Sequence, residues 1–169
     1  MATITLLHPY LLMILFSTAV ATITTPPQTR QATTIKQFLD SHNVVRAKHN
    51  LPLLVWNTRL ANFAKWHANT RRGDCALDHS VGDLGENIFW GQGRQWKVAE
   101  AVGSWAFQEK YYDSTHNACL PNTDCLHYTQ MVWKSTKYVG CAKTKCNSGD
   151  TYVVCEYYPH GNVIGQRPY

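Results

Sequence analysis

Tyr138 to Tyr158 reads YVGCAKTKCNSGDTYVVCEYY. Two runs rich in β-branched and aromatic residues, Val139–Lys145 and Tyr152–Tyr158, flank the turn-forming string Asn147-Ser148-Gly149-Asp150. That combination predicts a β-hairpin. Just upstream, His127, Thr129, Met131 and Trp133 alternate with Tyr128, Gln130 and Val132, a period of two that predicts a further strand. The C-terminal third therefore reads as antiparallel sheet.

Further upstream the period changes. Ile35, Phe38, Leu39, His42 and Val45 recur at helical spacing and predict a helix from about Thr34 to Lys48, stopped by Leu51-Pro52. Asn57 reads as the N-cap of a second helix with Leu60, Ala61, Ala64 and Ala68 inward and Gly73 past its end. Glycines and aspartates from Cys75 to Gly93 predict irregular loop. A third helix is expected from about Lys97 to Tyr112, with Val98, Ala101, Val102 and Trp105 inward. Helices first and strands later predict an α+β fold with an antiparallel sheet.

The 169 residues suit one domain able to bury a substantial core. The N-terminus is set apart. LLMILF (Leu11–Phe16), followed by Ala19-Val20-Ala21, predicts a secretory signal peptide over 1–21 cleaved at Ala21/Thr22. The run is too short to span a bilayer, so no transmembrane segment is expected. Residues 22–33, rich in Thr, Pro and Gln, are expected to be a disordered lead-in to a single domain over 34–169. With no retention signal, the extracellular space is the expected compartment, with the vacuole as the alternative.

The net charge is +5, from 16 Lys+Arg against 11 Asp+Glu. It is spread along the chain rather than gathered with aromatics on one face, which argues against nucleic acid as a partner. Six cysteines in a secreted chain predict three disulfides, although six allow 15 pairings. Cys119 and Cys125 flank a short loop and Cys146 and Cys155 bracket the hairpin. Spacing thus pairs Cys119–Cys125 and Cys146–Cys155 and leaves Cys75–Cys141.

Four polar residues stand out chemically. Glu109 lies four residues after Trp105 and so on its inward stripe, where a carboxylate is costly unless partnered. His127 shares a predicted strand face with Met131 and Trp133. His79 and Glu86 sit seven apart in the glycine-rich loop. Singly, each is read as a hydrogen-bonded structural residue. Together, two imidazoles and two carboxylates can hold a divalent cation or move protons.

Several ordered motifs carry a family resemblance: FLDSHNVVRAKH from Phe38, GENIFWG (Gly85–Gly91), EKYYD after Gln108, LHYTQMVWKST (Leu126–Thr136) and the terminal CEYYPHGNVIGQRPY. Together they resemble the plant pathogenesis-related proteins of class 1. These belong to the CAP superfamily of cysteine-rich secretory proteins, venom antigens and pathogenesis-related proteins. The resemblance spans about Ile35 to Tyr169. It implies an α-β-α sandwich whose central antiparallel sheet carries helices on both sides. It also implies a cleft lined by a tetrad falling on His79, Glu86, Glu109 and His127. In some members a divalent cation such as zinc sits there, which would place the metal on His79 and His127 with Glu86 and Glu109 assisting. No catalytic residue is inferred.

Three functions come with the resemblance: binding of a sterol or related lipid with antimicrobial effect, release of the C-terminal segment Pro159–Tyr169 as a defence peptide after Tyr158/Pro159 cleavage, and metal-dependent hydrolysis at the tetrad. The first is favoured, with a lipid and pathogen membrane or wall components as partners, a monomer as the working form and no required cofactor. Trp105, Phe107 and Tyr112 fit the spacing of an aromatic motif in sterol-binding relatives, though on a helix they read first as core. The competing view of Pro159–Tyr169 is a packed C-terminal tail. The sequence departs from the family pattern at Leu126, usually Gly, at Leu84, commonly Tyr, and at Glu156, usually Asn or Ser in plant members. Glu156 puts the peptide release in question. An enzyme is not expected, because G-x-S-x-G and H-E-x-x-H are both missing and the cysteines are expected to be oxidised.

Overall fold

A computed structural model describes residues 26–169. The expected signal peptide and its cleavage point lie outside the described residues. The elements in chain order are α1 (Pro27–Lys48), β1 (Val55–Trp56), α2 (Thr58–Thr70), β2 (Gly85–Gly91) and α3 (Val98–Ala106). A 3-10 turn (Phe107–Tyr111) leads to β3 (Tyr112–Asp113) and β4 (Ala118–Cys119). The chain ends with α4 (Leu126–Met131), β5 (Tyr138–Lys145) and β6 (Thr151–Tyr158).

The main sheet has the order β1-β5-β6-β2. The β5–β6 hairpin forms within one residue of its predicted ends, closed by Cys146 to Asp150 with Gly149 at φ +99°. β6 lies between two partners and is buried from Thr151 through Tyr157. One face of the sheet packs on α2 through Ala64, Ala68, Ile88, Tyr152 and Val154. The other packs on α1, α3 and α4 through Phe38, Val102, Trp105, Met131, Val153 and Tyr157. The result is the α-β-α layering and α+β class expected, with one parallel edge at β1–β5. α2 comes close enough for Gly140 to be required: a Cβ there would run into the backbone of Ala61 and Asn57.

Five expectations are corrected. Helix α1 begins at Pro27, so residues 27–33 are helical rather than disordered; proline at N1 is compatible with a helix start. GENIFWG is not loop but the edge strand β2, paired along its whole length with β6; its flanking glycines hide three consecutive apolar residues. Leu126–Met131 is a short helix, not a strand. Residues 128–133 are all buried, so alternation carries no information about period there. The third helix stops at Ala106 and tightens into the 3-10 turn.

The fifth concerns the disulfides. Cys119–Cys125 forms as expected, but the other two pairs are Cys75–Cys146 and Cys141–Cys155. Register explains the exchange. Cys141 and Cys155 face each other across β5–β6, with Cα atoms 4.1 Å apart. Cys146 lies past the last ladder pair, Lys145–Thr151, at the turn, where Cys75 reaches it.

Candidate functional site

Burial and backbone accounting fix the position of His127. Arg46, at the end of α1, is fully buried and donates to the carbonyls of Pro52, Met131, Trp133 and Thr136. It thereby satisfies carbonyls just after α4 that the short helix leaves open. His42, one turn earlier, donates from Nδ1 to Phe38 O at 2.8 Å and accepts the Tyr157 hydroxyl proton at Nε2, also at 2.8 Å. Burial lowers the His42 pKa to about 4, so the ring is neutral. Tyr157 in turn accepts from Asn87 Nδ2, whose second hydrogen goes to the His127 carbonyl at 3.0 Å. This chain of bonds ties α1, β6 and β2 to the start of α4.

The His127 ring stacks on Trp105, the ring planes 6° apart. Its Nδ1 meets the Gln108 side chain at 2.9 Å and Asp124 Oδ2 at 3.1 Å. Burial lowers its pKa; Asp124 opposes that shift and the His79 charge reinforces it. His79 is exposed and its Nδ1 lies 2.7 Å from Glu86 Oε1, which also accepts from Ser80 N–H at 2.9 Å. The bond to Glu86 raises the His79 pKa. His79 is thus paired with Glu86, and its charge reaches His127.

Glu109 does not join them. The 3-10 turn replaces 3.6 residues per turn with about 3, so four residues after Trp105 no longer means the same face. Its carboxylate lies 3.3 Å from His49 Nε2 instead, and His49 stacks on the C-terminal Tyr169. Sequence reasoning missed His49, Gln108 and Asp124, whose roles depend on that turn. It singled out Glu156 only as a departure. Its signal as a site is a carboxyl inside the apolar run YVVCEYY.

A divalent cation needs donors that can converge. Glu109 is engaged by His49, and the group beside His127 Nδ1 is the Gln108 amide rather than a second glutamate. Among the described residues no group of three or more His, Cys, Asp or Glu is arranged to hold a metal. The side chains as placed do not fit a bound metal.

The aromatic trio divides. Trp105 is core, donating to Ile88 O at 3.2 Å. Phe107 is 61% exposed, with Lys110 Nζ 3.7 Å from its ring. Tyr112 lines a pocket of about 230 Å³ with Leu126, Trp133, Val163 and Ile164. Leu126 and Ile164 are both exposed. The tail that forms the pocket's other wall is held at many points. Thr136 Oγ1 donates to Pro159 O, Gly161 N–H to Gln130 Oε1, Asn117 Nδ2 to Gln166 O, and Lys134 N–H to Pro168 O.

Comparison with known proteins agrees with this architecture. Residues 39–157 match the model of the "Cysteine-rich secretory protein family", CAP. A Medicago truncatula "Pathogenesis-related protein PR-1" is 48% identical over 134 residues, covering 79% of this chain and 78% of that protein. "Pathogenesis-related protein 1C" of Nicotiana tabacum is 42% identical over 134 residues, covering 79% of this chain and 80% of its own. Among solved structures, venom allergen-like protein 4 of Schistosoma mansoni superimposes with a TM-score of 0.65 at 30% identity, covering 79% of this chain and 92% of that one. The chain belongs to the CAP family of cysteine-rich secretory proteins and, within it, resembles the plant pathogenesis-related proteins of class 1.

Proposed function

We propose that this protein is a secreted plant defence protein that binds a sterol or related lipid, with antimicrobial effect. The observation that carries the reading is the pocket beside Tyr112, walled by the tail and edged by exposed Leu126 and Ile164. Apolar side chains left in water around a concavity mark a place where an apolar ligand gains free energy by excluding that water. At about 230 Å³ the pocket is smaller than typical small-molecule sites, so it would take one end of the ligand. The rest would lie over the exposed Leu126 and Ile164. The unusual leucine at 126 enlarges this apolar rim.

The other two readings rank lower. Release of Pro159–Tyr169 would have to break the bonds that tie the tail to Asn117, Gln130, Lys134 and Thr136. Metal-dependent hydrolysis would need a metal-bound water, and among the described residues no group of three or more His, Cys, Asp or Glu is arranged to hold the metal. His79 and Glu86 are read as a structural pair, and the protein as a binding protein rather than an enzyme.

The test is a fluorescent-sterol titration of wild type against Leu126→Asp and Ile164→Asp. Both side chains are exposed, so the variants fold. Binding at least about tenfold weaker in either supports the site. Equal affinity in all three proteins would reject it.

A further inference from the structure

Strand β5 has a partner on its outer side only at its start. There β1 pairs with Tyr138 and Val139, after which the chain turns away into α2. On its inner side β5 is paired with β6 from Tyr138 to Lys145. Antiparallel ladders alternate hydrogen-bonded pairs with closer, non-hydrogen-bonded ones. Cys141–Cys155, with Cα atoms 4.1 Å apart, is of the close kind, and so, two residues on, is Lys143–Val153. The N–H and C=O groups of Cys141 and Lys143 therefore point away from β6, to the side that β1 has left. In the same phase, the Val139 carbonyl accepts from Asn57 N–H at 2.9 Å and the Lys145 carbonyl from Arg72 Nε at 3.1 Å. Between those two anchors, Cys141 and Lys143 have no outward backbone partner among the described residues.

This open edge is the floor of a groove of about 540 Å³. Helices α1 and α2 pack on opposite faces of the sheet and both line the groove, α1 with Arg30 and Ile35, α2 with Ala61 and Lys65. An exposed strand edge is a template for an added strand. At about 3.3 Å per residue, Cys141 to Lys145 spans about 13 Å, enough for about four residues of a partner. Charge decides which partner. The charged residues of the groove are Arg30, Lys65 and Lys143, and no Asp or Glu lines it among the described residues. Lys143 Nζ is bonded to the Trp96 carbonyl, whereas Arg30 and Lys65 are exposed, one on each wall. A second copy fits poorly, because antiparallel pairing of two edges about Lys143 would set that lysine against itself. Residues 1–25 of this chain contain no Asp or Glu, so they lack the complementary charge.

We propose that this groove is a peptide-docking site: an extended, acidic segment of a partner protein adds to β5 as a further strand, bonding to the backbone of Cys141 and Lys143 and setting carboxylates against Arg30 and Lys65. Side chains of an added strand alternate between the walls, so acids an odd number of positions apart reach both cations. Backbone bonds supply affinity, and the two cations select for acidic side chains. The groove shares no lining residue with the pocket beside Tyr112, so this inference is independent of the lipid reading.

The probe is a fluorescently labelled acetyl-Thr-Glu-Val-Val-Glu-Thr-amide, titrated by anisotropy against the purified protein, with the same peptide carrying Lys in place of both Glu as control. The acidic peptide should bind saturably, at least about tenfold more tightly than the control and than it binds Arg30→Glu/Lys65→Glu. Both replaced side chains are exposed on helices, so the variant folds. Amide exchange followed by NMR in wild type then reports the added strand. Saturating peptide should slow exchange at Cys141 and Lys143 N–H at least about tenfold and leave Ala142 and Thr144, already bonded to β6, unchanged. No saturable binding up to about 1 mM, equal affinity for the two peptides or for wild type and variant, or binding without slowed exchange at Cys141 and Lys143 would overturn the proposal. Should the variant fail to fold, the peptide comparison and the exchange measurement on wild type decide.

Discussion

Glu109 Oε1 lies 3.3 Å from His49 Nε2, in a pair that the C-terminal Tyr169 covers by stacking on the His49 ring. The two histidines of the expected tetrad are therefore served by other partners: His79 by Glu86, His127 by Gln108 and Asp124. Replacing Glu109 with Gln should leave the NMR titrations of His79 and His127 unmoved. A fall in the His79 or His127 pKa on Glu109→Gln would place the carboxylate back in the cleft.

Non-reducing peptide mapping should recover Cys75–Cys146 and Cys141–Cys155, as the β5–β6 register requires. The Cys75–Cys146 bridge closes a separation of 71 residues, against 6 for Cys119–Cys125. Loop-closure entropy makes the long bridge worth roughly 4 kcal/mol, and the short one less. Urea unfolding of Cys75→Ser/Cys146→Ser should show a larger loss than Cys119→Ser/Cys125→Ser. The reverse order would mean that strain or residual structure, not loop length, governs their contributions.

Acid should destabilise the protein through His42. Its pKa falls from 6.5 to about 4 in the fold because burial penalises the cation. The unfolded chain therefore takes up a proton first as pH falls below 6.5, and the loss is complete once pH drops below about 4. A shift of that size corresponds to about 3 kcal/mol. His42→Gln removes this titration, so its stability measured by urea unfolding should decline less over that window. An identical decline would assign the acid sensitivity to other groups.

The parts of the fold that were legible in the sequence are those where local chemistry and burial agree. Asn57 caps α2 by accepting from Arg59 and Leu60 N–H, and Asn147–Asp150 turns the β5–β6 hairpin, both as read. Leu126–Trp133 was misread because a short helix buried from several sides has no polar face to set a period. The cysteine pairing failed for a different reason. A hairpin's ends were legible but its register was not, and register alone sets Cys141 against Cys155.

The site was legible in part. The motifs single out residues 79, 86 and 127, and the structure pairs His79 with Glu86 and sets His127 beside Gln108 and Asp124. Glu109 was misplaced because the change from α-helix to 3-10 turn after Ala106 leaves no mark in the periodicity. Glu156 stood in plain view within an apolar strand. Its partner in β2 is Glu86, and the glycine-flanked sequence of that strand reads as loop, so the pairing leaves no mark in the motifs.

The apolar-rimmed pocket beside Tyr112 is the proposed binding place of a sterol or related lipid. The most direct measurement is a fluorescent-sterol titration of the purified wild-type protein, run with and without EDTA. Saturable binding near micromolar affinity, unchanged by the chelator, is the predicted result. No saturable binding in either buffer would contradict the lipid reading, and binding abolished by EDTA would contradict a lipid site that works without a metal.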